Sequence, residues 1–254
     1  MRSSTAIVAA MLLMPVSVTA QPTSPSAGSP LEVHGSFRRL AHTGDTSAQV
    51  TLDALRIGPG VWGVGALAGL SGEIVVVDGR VLVSRGSDPQ GRTSPANASD
   101  AAALYAGAIV ASWHERVVPE TMTRAAFERF VEASALDIGL PPDAPFAFRL
   151  EGTLPSLTWH VVTGQPASAA ATLGHGAGHG GTHANKHAGM HVHKESGSVG
   201  MLVGIYSGAA LEGVVTHPKE RFHLHVVDPS LTRSGHVDDY SVSAGAVLYL
   251  PRTR

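Results

Sequence analysis

Glu73-Ile74-Val75-Val76-Val77-Asp78-Gly79-Arg80-Val81-Leu82-Val83 sets two β-branched runs on either side of an Asp-Gly pair. Asp-Gly tolerates the positive φ angles of a two-residue hairpin turn, so this stretch predicts two antiparallel strands. Short apolar runs broken by glycine extend the pattern upstream, at 48–52 and at 61–67. Downstream, 85–99 is rich in Gly, Pro, Ser and Asn and reads as a loop, and 101–113 reads as a strand. Alternating segments return at 147–152 and 156–162, and strands are expected at 199–205, 220–227 and 240–250. Thr123–Ala135 spaces Ala126, Phe127, Phe130, Val131 and Ala135 at helical intervals behind Thr121 or Thr123 as N-cap. With no long helical crossovers, an all-parallel sheet is excluded, and the expected class is a β-rich α+β fold.

The chain has 254 residues, 43% of them apolar, enough for a substantial core. Its 18 basic and 20 acidic residues are nearly balanced and form no basic block, which argues against nucleic acid as a partner. It has 14 His and no Cys, so disulfides and thiolate ligands are excluded, and any metal must be held by imidazole and carboxylate.

Arg2, the apolar run Ala6–Val16 and Val18-Thr19-Ala20 before Gln21 match a signal peptide over residues 1–20. An uncleaved N-terminal anchor is the alternative. A lipid anchor is excluded by the lack of Cys. Cleavage after Ala20 would give a periplasmic or secreted protein with no membrane segment. Residues 21–30 read as a flexible leader, 31–163 as a β-rich N-terminal part, 164–197 as a His/Gly-rich loop, and 198–254 as a C-terminal β part that carries a metal-binding pattern.

That pattern is Phe222-His223-Leu224-His225-Val226-Val227, followed by Gly235-His236. Alternate residues on a strand share a face, so His223 and His225 project together, and His236, eleven residues later, can return across the sheet. Three imidazoles with an open fourth position suit Zn²⁺ acting as a Lewis acid; the plainer alternative is a pair of half-exposed strand histidines. A second group is His175, His179, His183, His187, His191 and His193 within a glycine-rich tract. Glycine weakens a helical stripe, which leaves a metal-collecting loop or a solvated insertion; Zn²⁺, Cu²⁺ or Ni²⁺ would suit these ligands, and Met190 beside His191 adds a reason for copper. His34, His42, His114 and His217 have no partners at ligand spacing and read as ordinary polar residues.

Gly200-Met201-Leu202-Val203-Gly204-Ile205-Tyr206, Arg221-Phe222-His223-Leu224-His225 and Ser234-Gly235-His236-Val237-Asp238 together resemble the acetolactate decarboxylase family. That family reads G-T-x-V-G-F-W, Y/F-H-x-H-F and G-G-H-V-L-D. Leu52–Gly79, which contains Leu70-Ser71-Gly72-Glu73, and Phe148-Arg149-Leu150-Glu151-Gly152-Thr153 resemble its other conserved stretches. The resemblance implies mixed or antiparallel sheets in two sub-domains with few helices, and a homodimer. It implies that His223, His225 and His236 are zinc ligands and that Glu73 is the active-site glutamate, although an acid at a strand start is by itself an ordinary solvated residue. It also implies decarboxylation of a small 2-hydroxy-3-oxo acid, acetolactate going to acetoin and CO₂. Losing CO₂ leaves an electron pair that a polarised ketone can accept, and a nearby carboxyl group can manage the proton delivered to carbon.

Three supporting positions depart from the family pattern. Its substrate-binding arginine falls at His160, its threonine falls at Ala66, and its C-terminal glutamate has no counterpart, since no acid follows Asp239. Arginine and histidine are not equivalent carboxylate ligands. The alternative function is therefore an extracytoplasmic metal-binding or metal-delivery protein on the same scaffold.

Overall fold

The computed structural model describes residues 31–164 and 189–252. A first sheet holds β1 (Glu32–His34), β2 (Val50–Thr51), β3 (Val61–Leu67), β4 (Gly72–Val77), β5 (Arg80–Arg85), β6 (Thr93–Pro95) and β7 (Ala101–Ile109), in the order β1-β7-β3-β4-β5-β6 with β2 also on β7. A second holds β8 (Trp113–Val117), β9 (Met122–Thr123), β10 (Phe146–Val162), β11 (Met190–Tyr206), β12 (Phe222–Val227), β13 (Ser234–Val242) and β14 (Val247–Pro251), in the order β8-β14-β10-β11-β12-β13-β9. Because β13 pairs with β10 as well as β12, strands β10 to β13 close into a ring. Every strand pairing among the described residues is antiparallel.

The Asp-Gly hairpin forms as the sequence predicts. Asp78 and Gly79 have φ of 49° and 80°, and a Cβ on Gly79 would sit 2.3 Å from the Gly58 carbonyl oxygen. The helix forms too, as α2 (Arg124–Asp137), with the Thr123 hydroxyl accepting from Ala126 N. It buries Phe127, Val131 and Ala135 in one cluster with Leu150, Leu154 and Tyr240 of the ring and Leu248 of β14. A second apolar layer joins Trp62, Val64, Val75 and Leu82 of the first sheet to Ala147, Val203, Ile205 and Val227 of the second, so the sheets pack face to face.

Three expectations need correction, and one element goes beyond them. A short helix, α1 (Phe37–Thr43), was not foreseen; its seven residues are too few to show a period, and it is fixed by Phe37 N→Val214 O and Arg38 N→Gly213 O bonds of 2.9 Å. The loop expected over 164–197 is strand from Met190 onward, because β11 pairs with β10 down to Val162↔Met190. The single strand expected over 240–250 is the end of β13, a turn with Gly245 at φ 83°, and β14. The expected division between a 31–163 part and a 198–254 part also does not follow the sheets. They divide between Ile109 and Trp113, and the β10–β11 hairpin ties 146–162 to the C-terminal strands.

Candidate metal centre

Strand alternation puts His223 and His225 on one face of β12, where both are buried. His236 on β13 is the register partner of His225 on one side and of His160 on the other, so three histidines form a row across three strands. One ligand atom from each of His223, His225 and His236 lies within 4.8 Å of the others. His223 Nδ1 lies 2.9 Å from the Val215 carbonyl oxygen, to which it donates, and this leaves its Nε2 lone pair facing His225 Nε2 at 3.2 Å. Burial pushes the His223 imidazole down to about 3 and holds His225 and His236 well below the ordinary range, with neighbouring imidazoles adding to the effect. All three rings are thus neutral lone-pair donors near pH 7, and His225 Nδ1 is buried with no hydrogen-bond partner. Three neutral nitrogens without a thiolate fit a borderline divalent cation such as Zn²⁺.

Glu73 comes from the other sheet. It is the second residue of β4, is 3% exposed, accepts from Val162 N at 3.3 Å through Oε1, and places Oε2 3.7 Å from His225 Nε2. Burial pushes its carboxyl up to about 7. His160, 2% exposed, lies with Nδ1 2.9 Å from both carboxylate oxygens of Asp238. Burial opposes its charged form, but Asp238, and Glu73 more weakly, outweigh that and raise it above the ordinary histidine range.

These groups share a small cavity between the sheets. Phe37, Leu40, Ala66, Leu70, Leu104 and Val162 form its apolar wall, and Glu73, His160, His217, His223 and His236 its polar one. Ala66 thus lies in the wall, beside its register partner Glu73. Four contributors are not marked as such by the sequence. Asp238 lies two residues beyond His236, a strand-period spacing that could have found it. Phe37 and Leu40 belong to α1. His217 sits in a turn, where no periodicity marks a side chain, and burial pushes its imidazole down to about 4.

The second histidine group is not brought to this centre among the described residues. His191 Nε2 lies 2.9 Å from the Gly86 carbonyl oxygen, and His193 stacks on Trp159 with ring centroids 4.0 Å apart. His175, His179, His183 and His187 lie outside the described residues. Arg149, within one of the resembling stretches, does not line the cavity; its guanidinium lies 4.9, 5.3 and 3.8 Å from the ring centroids of Trp62, Trp113 and Tyr249.

Three solved structures resemble this fold. Acetolactate decarboxylase from Bacillus subtilis subspecies spizizenii superposes with a TM-score of 0.66 at 18% identity, covering 88% of this chain and 86% of that one. Alpha-acetolactate decarboxylase from Bacillus subtilis strain 168 gives 0.65 at 18% identity, with coverage of 88% and 86%. A Staphylococcus aureus protein of unknown function, described as similar to alpha-acetolactate decarboxylase, gives 0.63 at 16%, with coverage of 88% and 85%. At these identities the likeness is one of fold. No curated protein sequence matches the chain significantly. The family model for alpha-acetolactate decarboxylase matches residues 42–251, a span that includes Glu73, His160 and all three histidines of the cluster, and on that match this chain belongs to the alpha-acetolactate decarboxylase family.

Proposed function

We propose that this protein is an exported, zinc-dependent decarboxylase that converts 2-acetolactate, or a close 2-hydroxy-3-oxo acid, to acetoin and CO₂. The observation that carries this reading is the meeting of Glu73, from one sheet, with His160, His223 and His236, from the other, in one cavity with an apolar wall, and the approach of Glu73 to His225 beside them. A divalent cation held by His223, His225 and His236 would supply Lewis acidity toward the substrate's hydroxyl and ketone oxygens. The chain's own residues do the rest. His160, held by Asp238, offers a cationic partner for the substrate carboxylate. Breaking the bond to that carboxylate releases CO₂ and leaves an electron pair on carbon, and the Glu73 carboxyl, carrying its proton near neutral pH, delivers that proton to it. The apolar wall excludes water and accepts the methyl groups. Export rests on residues 1–20.

Histidine at 160, alanine at 66 and the lack of any acid after Asp239 favour a second reading, metal binding or delivery outside the cytoplasm without turnover. Acetoin formation from 2-acetolactate by purified, zinc-loaded protein separates the two. The decarboxylase reading predicts acetoin from the loaded protein and none after His223→Ala. Full zinc occupancy with no acetoin, unchanged by His160→Arg, would leave metal handling as the better account.

A further inference from the structure

We propose that His217 contacts the substrate directly, its imidazole hydrogen-bonding an oxygen of the bound hydroxy-oxo acid; this rests on the decarboxylase reading above. His217 lines the cavity that holds Glu73, His160 and His236, and its ring centroid is 6.3 Å from that of His236. It differs from three of its polar neighbours in one respect. His160 is engaged by Asp238, Glu73 by Val162 N and His223 by the Val215 carbonyl, whereas the His217 ring has no hydrogen-bond partner among the described residues. His217 is only partly buried, so its ring nitrogens stay accessible to an oxygen of a ligand bound in the cavity. A neutral imidazole offers one N–H and one lone pair, so it suits a hydroxyl or ketone oxygen, which leaves the carboxylate to His160.

The backbone holds this ring in place before any ligand arrives. His217 begins a turn closed by Glu220 N→His217 O at 3.0 Å, with Pro218 second and Lys219 third at φ 71°. That is the pattern of a type II turn, which favours glycine at its third position, so a lysine there is strained. Lys219 N→Glu212 Oε1 at 3.0 Å and Thr216 Oγ1→Glu220 O at 2.7 Å lock the loop further. Arg38 Nη2 donates to the Glu212 carbonyl oxygen, and Phe37 of the same helix packs on the His217 ring with centroids 4.2 Å apart. The ordering cost of the side chain is thereby met in the folded protein, which is what a substrate-orienting group requires.

The test compares His217→Leu and His217→Gln with the wild type, all zinc-loaded. It measures metal content, melting temperature, kcat and KM for 2-acetolactate, and the Kd of unreactive 2-hydroxy-2-methylbutanoate by calorimetry. The expected result for His217→Leu is one metal ion per chain, with KM and Kd raised by about tenfold, the loss of roughly one hydrogen bond. His217→Gln, which keeps a donor and folds without an apolar change, should recover much of that loss. Unchanged KM and Kd in the leucine variant would overturn the proposal, as would loss of the metal, which would make His217 a ligand. Should the leucine variant not fold, wild-type Kd, kcat and KM in a His217→Ala/Phe37→Ala pair would equally overturn it. Failure of the wild type to turn over acetolactate or bind the hydroxy acid at full metal occupancy would instead defeat the decarboxylase reading, and His217's role with it.

Discussion

Glu73 Oε2 of the first sheet lies 3.7 Å from His225 Nε2 of the second. Neither sheet builds the site alone. The three histidines can gather within the ring of β10 to β13, but the carboxyl that faces them arrives only when the sheets pack face to face. On the decarboxylase reading, metal binding and turnover are therefore separable.

Metal content should be one tightly held divalent ion per chain. His223→Ala or His225→Ala should remove it, because two remaining imidazoles lose the convergence of three. Metal analysis after exhaustive dialysis checks this. One equivalent retained by both variants would contradict the assignment.

The His-rich tract should be dispensable for folding. Thr163 N donates to the Gly189 carbonyl oxygen at 2.9 Å, so β10 and β11 already meet at its two ends. Replacing residues 165–188 with a two-residue turn should leave the melting temperature nearly unchanged and the tight metal ion in place, while weaker metal capacity falls. Metal titration with thermal unfolding reads both effects.

Arg85 and Asp100 form a two-pronged ion pair, with N–O distances of 2.9 and 2.7 Å. Hydrogen bonds from Arg85 are the main reason the Asp100 carboxyl is held below its ordinary range. Its stabilisation is therefore fully present above the unfolded-state pKa and is lost as pH falls through the lower folded-state value. Asp100→Asn should cost about 1–2 kcal/mol at pH 7, and the difference from wild type should shrink in acid. Urea unfolding at a series of pH values measures this.

Arg149 bridges the sheets, with Trp62 on β3 and Trp113 and Tyr249 on β8 and β14 around its guanidinium, which also pairs with Glu151. Arg149→Lys loses the flat stacking surface and should cost about 1–2 kcal/mol without changing metal content. Chemical denaturation and metal analysis of the variant check both halves.

Much of this site was legible because it obeys strand periodicity. The spacing of His223 and His225, and the Asp-Gly turn near Glu73, are local patterns with a fixed geometric meaning. What was not legible depends on partners distant in sequence. Glycine and histidine around Met190–His193 look like loop, yet β10 supplies a pairing partner for each residue of that segment. His217 has no periodic signal, and its place in the cavity comes from α1 and a strained turn. The row His225–His236–His160 required knowing that β13 lies between β12 and β10, a closure that no spacing encodes.

Whether the Glu73 carboxyl supplies the proton is decided by Glu73→Gln, assayed with zinc fully loaded. The substitution preserves shape and removes the transferable proton. The account predicts that metal content stays at one per chain, while acetoin formation falls by about 10²–10⁴-fold, the usual contribution of a general acid or base. Retention of wild-type turnover by the zinc-loaded variant would contradict it.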